Sequence, residues 1–401
     1  MVINMQKVIF RVIQFFVKIG VSFIKWKTDE VISKEDALKE LPVKLANKNF
    51  KKVFLITDPH IYSLGLCNDL ELSLKEQNLD YVLYKDAISN PTISSVEQAL
   101  HIYKESQSEA IIAVGGGSVL DTAKLLGARF TNPKRTLKQM KGYFKVRKRI
   151  PYLVAIPTTA GSGSEATIVG VVSDEKTHHK YAITSPKLIP HMVVLDPVIT
   201  KNLPSIVTAY TGMDALTHAI ECYIGKANTV ESKKQSLEAI QKIWKWLEIV
   251  VKEPHNLEAR RAMQETSYLA GCAFTRGFVG YVHALAHPLS GLYNTPHGLA
   301  NAILLPKVLR KYQNSINDDM YVLYKELGYT TEKSKKEAKD FLIQEIEKLN
   351  KRIGIPEKLS TIKEEDLITL VKQCLKEAHP MYPVPKILSK KELIDIYKEI
   401  I

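Results

Sequence analysis

The sequence predicts an α/β N-terminal domain built on a parallel sheet, followed by an all-α C-terminal domain. Short β-rich apolar runs alternate with turn residues and helical stretches from about residue 51 to residue 200, the pattern of βαβ units around a sheet that is buried on both faces. Strand patterns stop after Pro204, and helical periodicity follows, for example over 232–251 and 334–349. We therefore predict an N-terminal helix at 1–27, an α/β domain at 28–203 and a helical domain at 204–401.

The composition is that of a globular protein with more than one domain. The chain has 401 residues, of which 45% are hydrophobic and 25% charged. Its net charge of +13 comes from two segments, because 1–27 has five basic residues and no acid, and 131–149 has eight basic residues and no acid. A nucleic-acid-binding surface is therefore not expected. The four cysteines form no close pair, so we predict reduced thiols and a cytoplasmic location.

The first 27 residues predict one amphipathic helix. Lys7, Arg11 and Lys18 recur along a narrow polar stripe, and apolar residues occupy the rest of the helix surface. Such a face must be covered, either by the rest of the protein and a partner subunit or by the surface of a membrane. We favour the first alternative and keep membrane-surface contact as the second. The basic residues interrupt the apolar stretches, so a membrane-spanning helix is not predicted.

The strands of the α/β domain follow in order along the chain. Apolar runs predict strands at 52–57, 81–84, 109–114, 152–156 and 192–195. A hairpin at 168–173 and 181–184, separated by three charged residues, is predicted as an addition to the sheet.

A glycine-rich turn predicts a phosphate-binding site. Gly115, Gly116 and Gly117 follow the strand at 109–114, and Ser118 stands where an N-cap would begin the helix 118–127. Glycines allow an anion to approach the backbone, and helix N-termini attract phosphate. A tight turn that binds nothing is the alternative. The G-x-G-x-x-G and P-loop patterns are absent, which excludes an ordinary Rossmann or P-loop site.

Two further features at the ends of strands fit a dinucleotide. The polar loop 158–165 follows the strand at 152–156 and supplies hydroxyl groups at the same sheet edge. Asp58 ends the first strand, where its carboxylate would accept hydrogen bonds from a ribose and repel a 2′-phosphate, which favours NAD over NADP. A simple turn residue before Pro59 is an equally weighted alternative for Asp58.

A cluster of histidines in the helical half predicts a divalent metal site. Asp214 and His218 are four residues apart, a spacing that brings both side chains to one face of a helix. His283 and His287 repeat this spacing, and His297 follows in a predicted loop. A carboxylate with imidazoles suits Fe²⁺ or Zn²⁺. Asp196 is a further candidate carboxylate, although its simplest role is to end a strand.

Taken together, these motifs resemble those of the iron-containing (group III) alcohol dehydrogenase family. The resemblance rests on four stretches in the same order: 115–118 with Asp121 and Lys124, PTTAGSGSEAT at 157–167, GMDALTHAIE at 212–221, and 282–289 with 294–306. It spans roughly residues 50 to 310. It implies a dinucleotide-binding α/β domain and a helical metal-binding domain, the fold also found in dehydroquinate synthase, with the metal in the cleft, and a dimer or larger assembly.

The resemblance also implies roles for individual residues. Asp214, His218, His283 and His297 match the family's metal ligands, and His287 matches the histidine near the nicotinamide. The positions expected to bind NAD are Asp58, Asn90, Gly115, Gly116, Gly117, Ser118, Asp121, Thr158, Thr159, Ser162 and Lys180. Arg276 is larger and more cationic than the residue usual at its position, and we favour a surface salt bridge over a contact with a substrate carboxylate.

The resemblance implies a metal-dependent, NAD(H)-linked oxidoreductase. Its substrates would be a primary alcohol and the corresponding aldehyde, of the butanol, 1,3-propanediol or hydroxy-acid type, and its metal Fe²⁺, with Zn²⁺ possible. The alternatives are a sugar-phosphate cyclase or lyase of the dehydroquinate-synthase type, a glycerol-dehydrogenase-like enzyme, and a non-catalytic anion- or membrane-binding protein. The pairing of Asp214 with His218 and the loop 157–167 favour the dehydrogenase.

Overall fold

The computed structural model describes residues 5–23, 27–177 and 179–401. Residues 1–4 and 24–26 of the predicted N-terminal helix lie outside the described residues. The strands are β1 Glu30–Ser33, β2 Lys52–Ile56, β3 Asp80–Tyr84, β4 Ala110–Gly115, β5 Gly142–Tyr143, β6 Tyr152–Pro157, β7 Val169–Asp174, β8 His179–Thr184 and β9 Met192–Leu195. The helices are α1 Met5–Phe23, α2 Ala37–Asn47, α3 Pro59–Ser63, α4 Asn68–Glu76, α5 Ile93–Ser106, α6 Gly117–Thr131, α7 Leu137–Met140, α8 Pro197–Thr200, α9 Ser205–Ile224, α10 Val230–Lys252, α11 Leu257–Gly277, α12 Tyr281–Tyr293, α13 His297–Lys311, α14 Asn317–Glu326, α15 Lys335–Arg352, α16 Leu367–Ala378 and α17 Lys390–Lys398.

A parallel six-stranded sheet in the order β1-β9-β6-β4-β2-β3 forms the centre of the α/β unit. Successive residues of β2 alternate between two apolar clusters, with Phe54 and Ile56 in one and Val53 and Leu55 in the other. Both faces of the sheet are therefore buried, as the uninterrupted apolar runs predicted. The strands β7 and β8 pair antiparallel, which confirms the predicted hairpin.

Two short strands were not predicted. β1 pairs with β9 at the edge of the large sheet, and β5 pairs with β8. Both are short, with four and two residues, and β1 is only half-buried. Neither shows the apolar run on which the other strands were recognised, because an edge strand needs less apolar surface than a central one.

The chain divides into two compact units. One comprises α1 together with Leu203–Pro254 and Leu269–Ile401, and its described residues form helices joined by loops, with no strand. The other comprises His255–Tyr268 together with the described residues from 27 to Asn202, and it contains both sheets. The boundaries at 28–203 and 204–401 stay predictions.

Helix α1 packs on its own chain through its polar stripe. Arg11 and Gln14 donate hydrogen bonds to backbone carbonyls of the segment 380–385. Most of the apolar side faces outward, where Phe15 and Phe16 are 60% and 65% exposed, while Phe10, Ile13 and Val17 are half-buried. This orientation is the reverse of the usual one, in which the apolar face of a helix covers the protein. No helix among the described residues is long and apolar enough to cross a membrane.

Candidate active site

Three neighbouring strands end at one edge of the large sheet and carry the predicted cofactor-binding motifs. β2, β4 and β6 are adjacent and parallel, so their carboxyl ends lie side by side. Asp58 follows β2, Gly115 ends β4, and Thr158 follows β6. The chain order reverses between β2 and β4, since β3 lies on one side of β2 and all later strands of this sheet lie on the other. Such a switch point is where α/β sheets bind ligands.

The glycine turn begins α6 one residue earlier than predicted. Gly116 is the N-cap and α6 starts at Gly117, whereas Ser118 was predicted as the N-cap. The hydroxyl of Ser118 instead accepts a hydrogen bond from the backbone N–H of Asn90. A side chain at Gly117 would meet Ser162 Oγ at 2.9 Å, and one at Gly115 would meet Val119 Cγ2 at 2.4 Å. The turn therefore requires glycine for close packing, and it exposes backbone N–H groups at a helix N-terminus.

Polar side chains from separate loops surround this turn. Lys180 Nζ donates to Asn90 Oδ1 at 2.9 Å, and Asn90 adopts a left-handed backbone conformation with φ of 56°. Thr158 donates its backbone N–H to Gly115 O, and its hydroxyl is buried with no hydrogen-bond partner among the described residues. The structure therefore brings the two loops and the predicted lysine to the same sheet edge. Thr159 lies next to Gly116, where a Cβ would be 3.8 Å from its hydroxyl.

Two predicted cofactor residues use their carboxylates within the fold. Asp58 is the N-cap of α3 and accepts a hydrogen bond from Ile61 N at 2.9 Å. Asp121 accepts hydrogen bonds from Ser164 Oγ at 2.7 Å and from Val171 N at 3.0 Å. Asp121 thus connects α6 to the polar loop and to β7. Asp58 is half-exposed and keeps its second carboxylate oxygen for other hydrogen bonds.

In the helical unit, three candidate metal ligands converge. Possible ligand atoms of Asp214 on α9, His283 on α12 and His297 on α13 all lie within 4.8 Å of one another. Asp214 Oδ1 is 3.6 Å from His283 Nε2 and 3.5 Å from His297 Nε2. His297 is the first residue of α13 and not part of a loop, as had been predicted. Asp214 and His283 are buried, and the side chain of His297 is 34% exposed.

The fourth predicted ligand, His218, lies beside this cluster. Its Nδ1 is 3.9 Å from Asp214 Oδ1. Its ring stacks on Phe274 with ring centroids 4.1 Å apart, and on His283 with centroids 4.3 Å apart. His218 therefore adjoins the three converging residues without being a member of their cluster.

The contacts of Asn301 show where a cation would lie among these residues. Its Nδ2 lies 2.7 Å from Asp214 Oδ1, 3.3 Å from His283 Nε2 and 3.1 Å from His297 Nε2. Three potential ligand atoms thus lie around one position, while Asn301 Oδ1 is buried with no hydrogen-bond partner among the described residues. A carboxylate and imidazoles that converge on one point form a donor set typical of a divalent transition metal.

Charge at the cluster also favours a cation. Burial alone would raise the pKa of Asp214, but His218, His297 and His283 hold it well below its ordinary range. Burial acts to lower the pKa of His283, yet Asp214 and Glu221 raise it to about 9. The protein therefore stabilises positive charge at this position, which a bound divalent cation would supply in place of a proton.

Glu221 orients His283 from the side away from the cluster. Glu221 Oε2 lies 2.7 Å from His283 Nδ1 and accepts a hydrogen bond from Gly280 N, while its Oε1 accepts one from Val282 N. Carboxylates commonly hold metal-binding histidines in this way, which leaves Nε2 directed at the metal. A side chain at Gly280 would meet Glu221 Oε1 at 2.7 Å, so glycine is needed there.

His287 has a carboxylate partner of its own. His287 Nδ1 lies 2.7 Å from Glu377 Oε1 on α16, and Tyr382 Oη donates to the same oxygen at 2.7 Å. Burial would raise the pKa of Glu377, but His287 and these hydrogen bonds lower it. The ring of His287 stacks on that of His297 with centroids 5.0 Å apart, so this imidazole lies directly beside the candidate metal site.

Comparison with known proteins identifies the family. The family model described as iron-containing alcohol dehydrogenase matches residues 28–197, and the model of the C-terminal part of that family matches residues 208–401. The chain belongs to the iron-containing alcohol dehydrogenase family. It is an oxidoreductase of the alcohol dehydrogenase type, and the predicted family and fold are confirmed. The match begins at residue 28, so helix α1 lies outside it.

Individual members of the family resemble most of the chain. Alcohol dehydrogenase 4 of Saccharomyces cerevisiae is 35% identical over 370 residues, which cover 91% of this chain and 95% of the yeast protein. The 1,3-propanediol dehydrogenase of Citrobacter freundii is 35% identical over 87% of this chain and 91% of its own length. The crystal structure of a 1,3-propanediol oxidoreductase superposes with a TM-score of 0.91 at 31% identity, covering 94% of this chain and 100% of that one.

Several contacts of this iron-containing alcohol dehydrogenase were not predicted from its sequence. Asn301 is four residues after His297, and this spacing on one helix could have indicated it. Glu377 and Tyr382 are far from the histidines in sequence, and no sequence pattern indicates that they contact His287. Asp196 caps α8 and accepts a hydrogen bond from Val198 N, as its strand-ending role requires. Arg276 pairs with Glu231 at 3.1 Å, the salt bridge that was favoured.

Proposed function

We propose that the protein interconverts a small primary alcohol and its aldehyde, using NAD(H) and a divalent metal, with Fe²⁺ as the first candidate and Zn²⁺ as the second. The observation that carries the proposal is the convergence of Asp214 Oδ1, His283 Nε2 and His297 Nε2 in a member of the iron-containing alcohol dehydrogenase family. Relatives are named for methanol, 1,3-propanediol and lactaldehyde, which supports a short substrate.

Four residues would hold the metal: Asp214, His218, His283 and His297. A divalent ion bound there supplies Lewis acidity, which lowers the pKa of an alcohol hydroxyl and polarises an aldehyde carbonyl. Glu221 keeps the proton of His283 on Nδ1 and so leaves Nε2 as the ligand atom. The same ligand types suit Fe²⁺ and Zn²⁺, so metal supply would decide between them.

The sheet edge of the α/β unit would hold the dinucleotide, which supplies hydride chemistry when bound. Backbone N–H groups of the turn 115–117 and the N-terminus of α6 would bind the pyrophosphate. Asp58 would accept hydrogen bonds from a ribose. The other residues proposed to line the site are Asn90, Ser118, Asp121, Thr158, Thr159, Ser162 and Lys180.

His287 would move the proton of the reacting hydroxyl. Because Glu377 accepts the Nδ1 hydrogen of His287, Nε2 is the nitrogen that is available to exchange a proton with the substrate, directly or through a hydroxyl group. A His287→Ala variant is expected to retain metal and to lose about 10²-fold in rate or more.

The experiment is metal analysis of the purified protein combined with a screen of NADH oxidation over short aldehydes, semialdehydes and glycerol-like carbonyls. Chelated protein is compared with protein reloaded with Fe²⁺ or Zn²⁺. The proposal expects activity that is lost on chelation and regained on reloading. Equal activity in the metal-free protein would refute the metal role, and the absence of net NADH oxidation with every carbonyl would refute the redox role.

Three further expectations from the sequence stay predictions. They are assembly as a homodimer or larger, a cytoplasmic location, and the weaker alternative of membrane-surface contact through residues 1–27. The outward apolar side of α1 could contact either a second subunit or a membrane surface. Mass determination in solution tests the assembly, and flotation with anionic vesicles tests the membrane contact.

A further inference from the structure

The polar stripe of α1 is hydrogen-bonded to the segment 380–387 of the same unit. Gln14 Nε2 donates to Pro380 O at 3.0 Å and to Tyr382 O at 2.8 Å. The guanidinium of Arg11 donates to Val384 O at 2.7 Å and to Pro385 O at 3.0 Å. It also donates to Gln14 Oε1 at 2.9 Å, so the two side chains hold each other.

These hydrogen bonds add to other backbone contacts of the segment, in which Lys226 N donates to Pro383 O at 2.7 Å, Tyr382 N to Ala378 O at 2.8 Å and Val384 N to Tyr382 O at 2.9 Å. Gln14 is only 4% exposed, and a buried side chain that loses its hydrogen bonds leaves unsatisfied polar groups on both sides. The segment lies between α16 and α17 and belongs to no helix or strand, so side-chain contacts carry more of its positioning. The two side chains of α1 therefore contribute four of the hydrogen bonds that position the backbone of residues 380–385.

That segment carries a contact to the proposed proton-transfer residue. Tyr382 belongs to it, and its hydroxyl donates to Glu377 Oε1, the oxygen that also accepts from His287 Nδ1. Gln14 is thus connected to His287 through Tyr382, whose backbone carbonyl accepts from Gln14 and whose hydroxyl donates to Glu377, the partner of His287.

A second contact connects the same elements. The ring of Phe10 on α1 lies 4.8 Å from that of His379, and His379 Nε2 lies 2.6 Å from Tyr281 Oη. Tyr281 begins α12, the helix that carries His283 and His287. Helix α1 is therefore connected to α12 by two indirect routes, through His379 and through Tyr382 with Glu377, although it lies outside the region matched by the family model.

We propose that α1 is a positioning element for His287, acting through Gln14 and Arg11 on the segment that presents Tyr382 to Glu377. The inference rests on the proposed role of His287 in proton transfer. Gln14 and Arg11 contact neither metal ligand nor substrate, so they act only by fixing Tyr382, which in turn keeps Glu377 directed at His287 Nδ1. The imidazole then keeps one tautomer and one orientation, with Nε2 available.

The test is a double-mutant cycle between Gln14→Leu and Tyr382→Phe. Gln14→Leu removes the hydrogen bonds from Gln14 Nε2 to Pro380 O and Tyr382 O and leaves a side chain of similar volume. Tyr382→Phe removes only the hydroxyl. Each is expected to lower kcat and the single-turnover rate of NADH oxidation by about three- to tenfold, with KM and metal content unchanged. Because both act through one chain of contacts, the double variant is expected to be no slower than the slower single variant.

Controls separate positioning from general stabilisation. Val12→Ala alters the outward, exposed side of the same helix and is expected to leave kcat unchanged. Arg11→Lys, which keeps a charge but loses the two-pronged contact with Val384 and Pro385, is the second variant if Gln14→Leu does not fold. It is expected to show the same loss of kcat.

Two results would overturn the inference. One is a full wild-type rate in Gln14→Leu and Arg11→Lys while His287→Ala is slow, in which case the proposed function stands and the role of α1 fails. The other is rate losses that multiply in the double variant, which would mean that Gln14 and Tyr382 act independently. If His287→Ala itself keeps the wild-type rate, the proton-transfer role fails instead.

Discussion

Glu221 Oε2 and His283 Nδ1 lie 2.7 Å apart in the buried part of the helical unit. The same carboxylate also accepts the backbone N–H groups of Gly280 and Val282, at the start of the helix that carries His283. One side chain of α9 thus fixes both the ring and the first turn of α12. Because α9 also carries Asp214, the candidate metal ligands of two helices are held in register by Glu221.

Replacing Glu221 is therefore expected to weaken metal binding. A glutamine at position 221 keeps the shape but directs an N–H₂ group at His283 Nδ1 or at a backbone N–H, where an acceptor is needed. We expect Glu221→Gln to lower metal affinity by about 10- to 100-fold, measured by competition with a chelator. Glu231→Gln, at an exposed carboxylate on α10, is the matched control, and equal affinities in the two variants would refute the role of Glu221.

Asp58 is expected to control the choice between NAD and NADP. Asp58→Ser removes the carboxylate that would repel a 2′-phosphate but retains a side chain that can cap α3. We expect the KM for NADPH to fall at least about tenfold, because one opposing charge is removed from the site, while thermal stability changes little. Asp69→Ser, in the first turn of α4, is the control, and an unchanged cofactor preference in Asp58→Ser would exclude the ribose contact.

Gly298 has no space for a side chain. A Cβ at this position would lie 2.1 Å from Tyr210 O, a backbone atom of α9, whereas one at Gly291 would meet nothing within 4 Å. Gly298→Ala must push α13 away from α9 and displace the adjacent His297. We expect a loss of about 1–3 kcal/mol in unfolding free energy together with reduced metal content.

The control for Gly298→Ala is Gly291→Ala on α12. It is expected to be neutral or slightly stabilising, since alanine favours helix more than glycine does. Chemical denaturation and metal analysis of both variants test the comparison, and a Gly298→Ala variant as stable as Gly291→Ala would contradict the predicted clash.

His191 is expected to make the α/β unit sensitive to acid. Burial and Arg149 lower its pKa to about 4 from the ordinary 6.5, although Asp29 opposes the shift. The unfolded chain therefore binds more protons than the folded one between these values, so stability is lost as the pH falls from about 6.5 towards 4. His191 Nδ1 accepts a hydrogen bond from Leu153 N, which protonation at that atom would break.

A His191→Asn variant provides the test, because the asparagine oxygen can accept the same hydrogen bond without titrating. We expect its melting temperature to fall less than that of the wild type between pH 7 and pH 5. His101→Asn, at an exposed position on α5, should keep the wild-type pH dependence. Parallel curves for the wild type and His191→Asn would show that another group controls acid sensitivity.

The features that were predicted correctly from the sequence are those that lie within a single strand, helix or turn. The apolar runs of β2, β4, β6 and β9 were recognised because a strand buried on both faces is apolar throughout. The glycine turn was recognised because its position between strand and helix is local. The N-cap of α6 was predicted at the wrong residue, since the Ser118 hydroxyl is engaged by Asn90, a contact between distant residues.

Helix α1 shows where periodicity is insufficient. The pattern of Lys7, Arg11, Gln14 and Lys18 correctly predicts an amphipathic helix, but the direction of its faces is a matter of tertiary contacts. Backbone carbonyls of Tyr382, Val384 and Ile387 accept hydrogen bonds from the polar stripe. Losing such a bond at a buried carbonyl costs about as much free energy as burying part of an apolar side chain gains.

The sequence by itself determined the order of the buried strands, the helical second half, the family and the residue types available for a metal. Strand and helix periodicities and the i, i+4 spacing of Asp214 and His218 are properties of neighbouring residues. Only the tertiary structure decided which of these groups meet, how Glu221 and Glu377 orient the two imidazoles of α12, and which face of α1 turns inward. Those relationships join residues up to several hundred positions apart, and they follow from the packing of helices against one another, which no local pattern encodes.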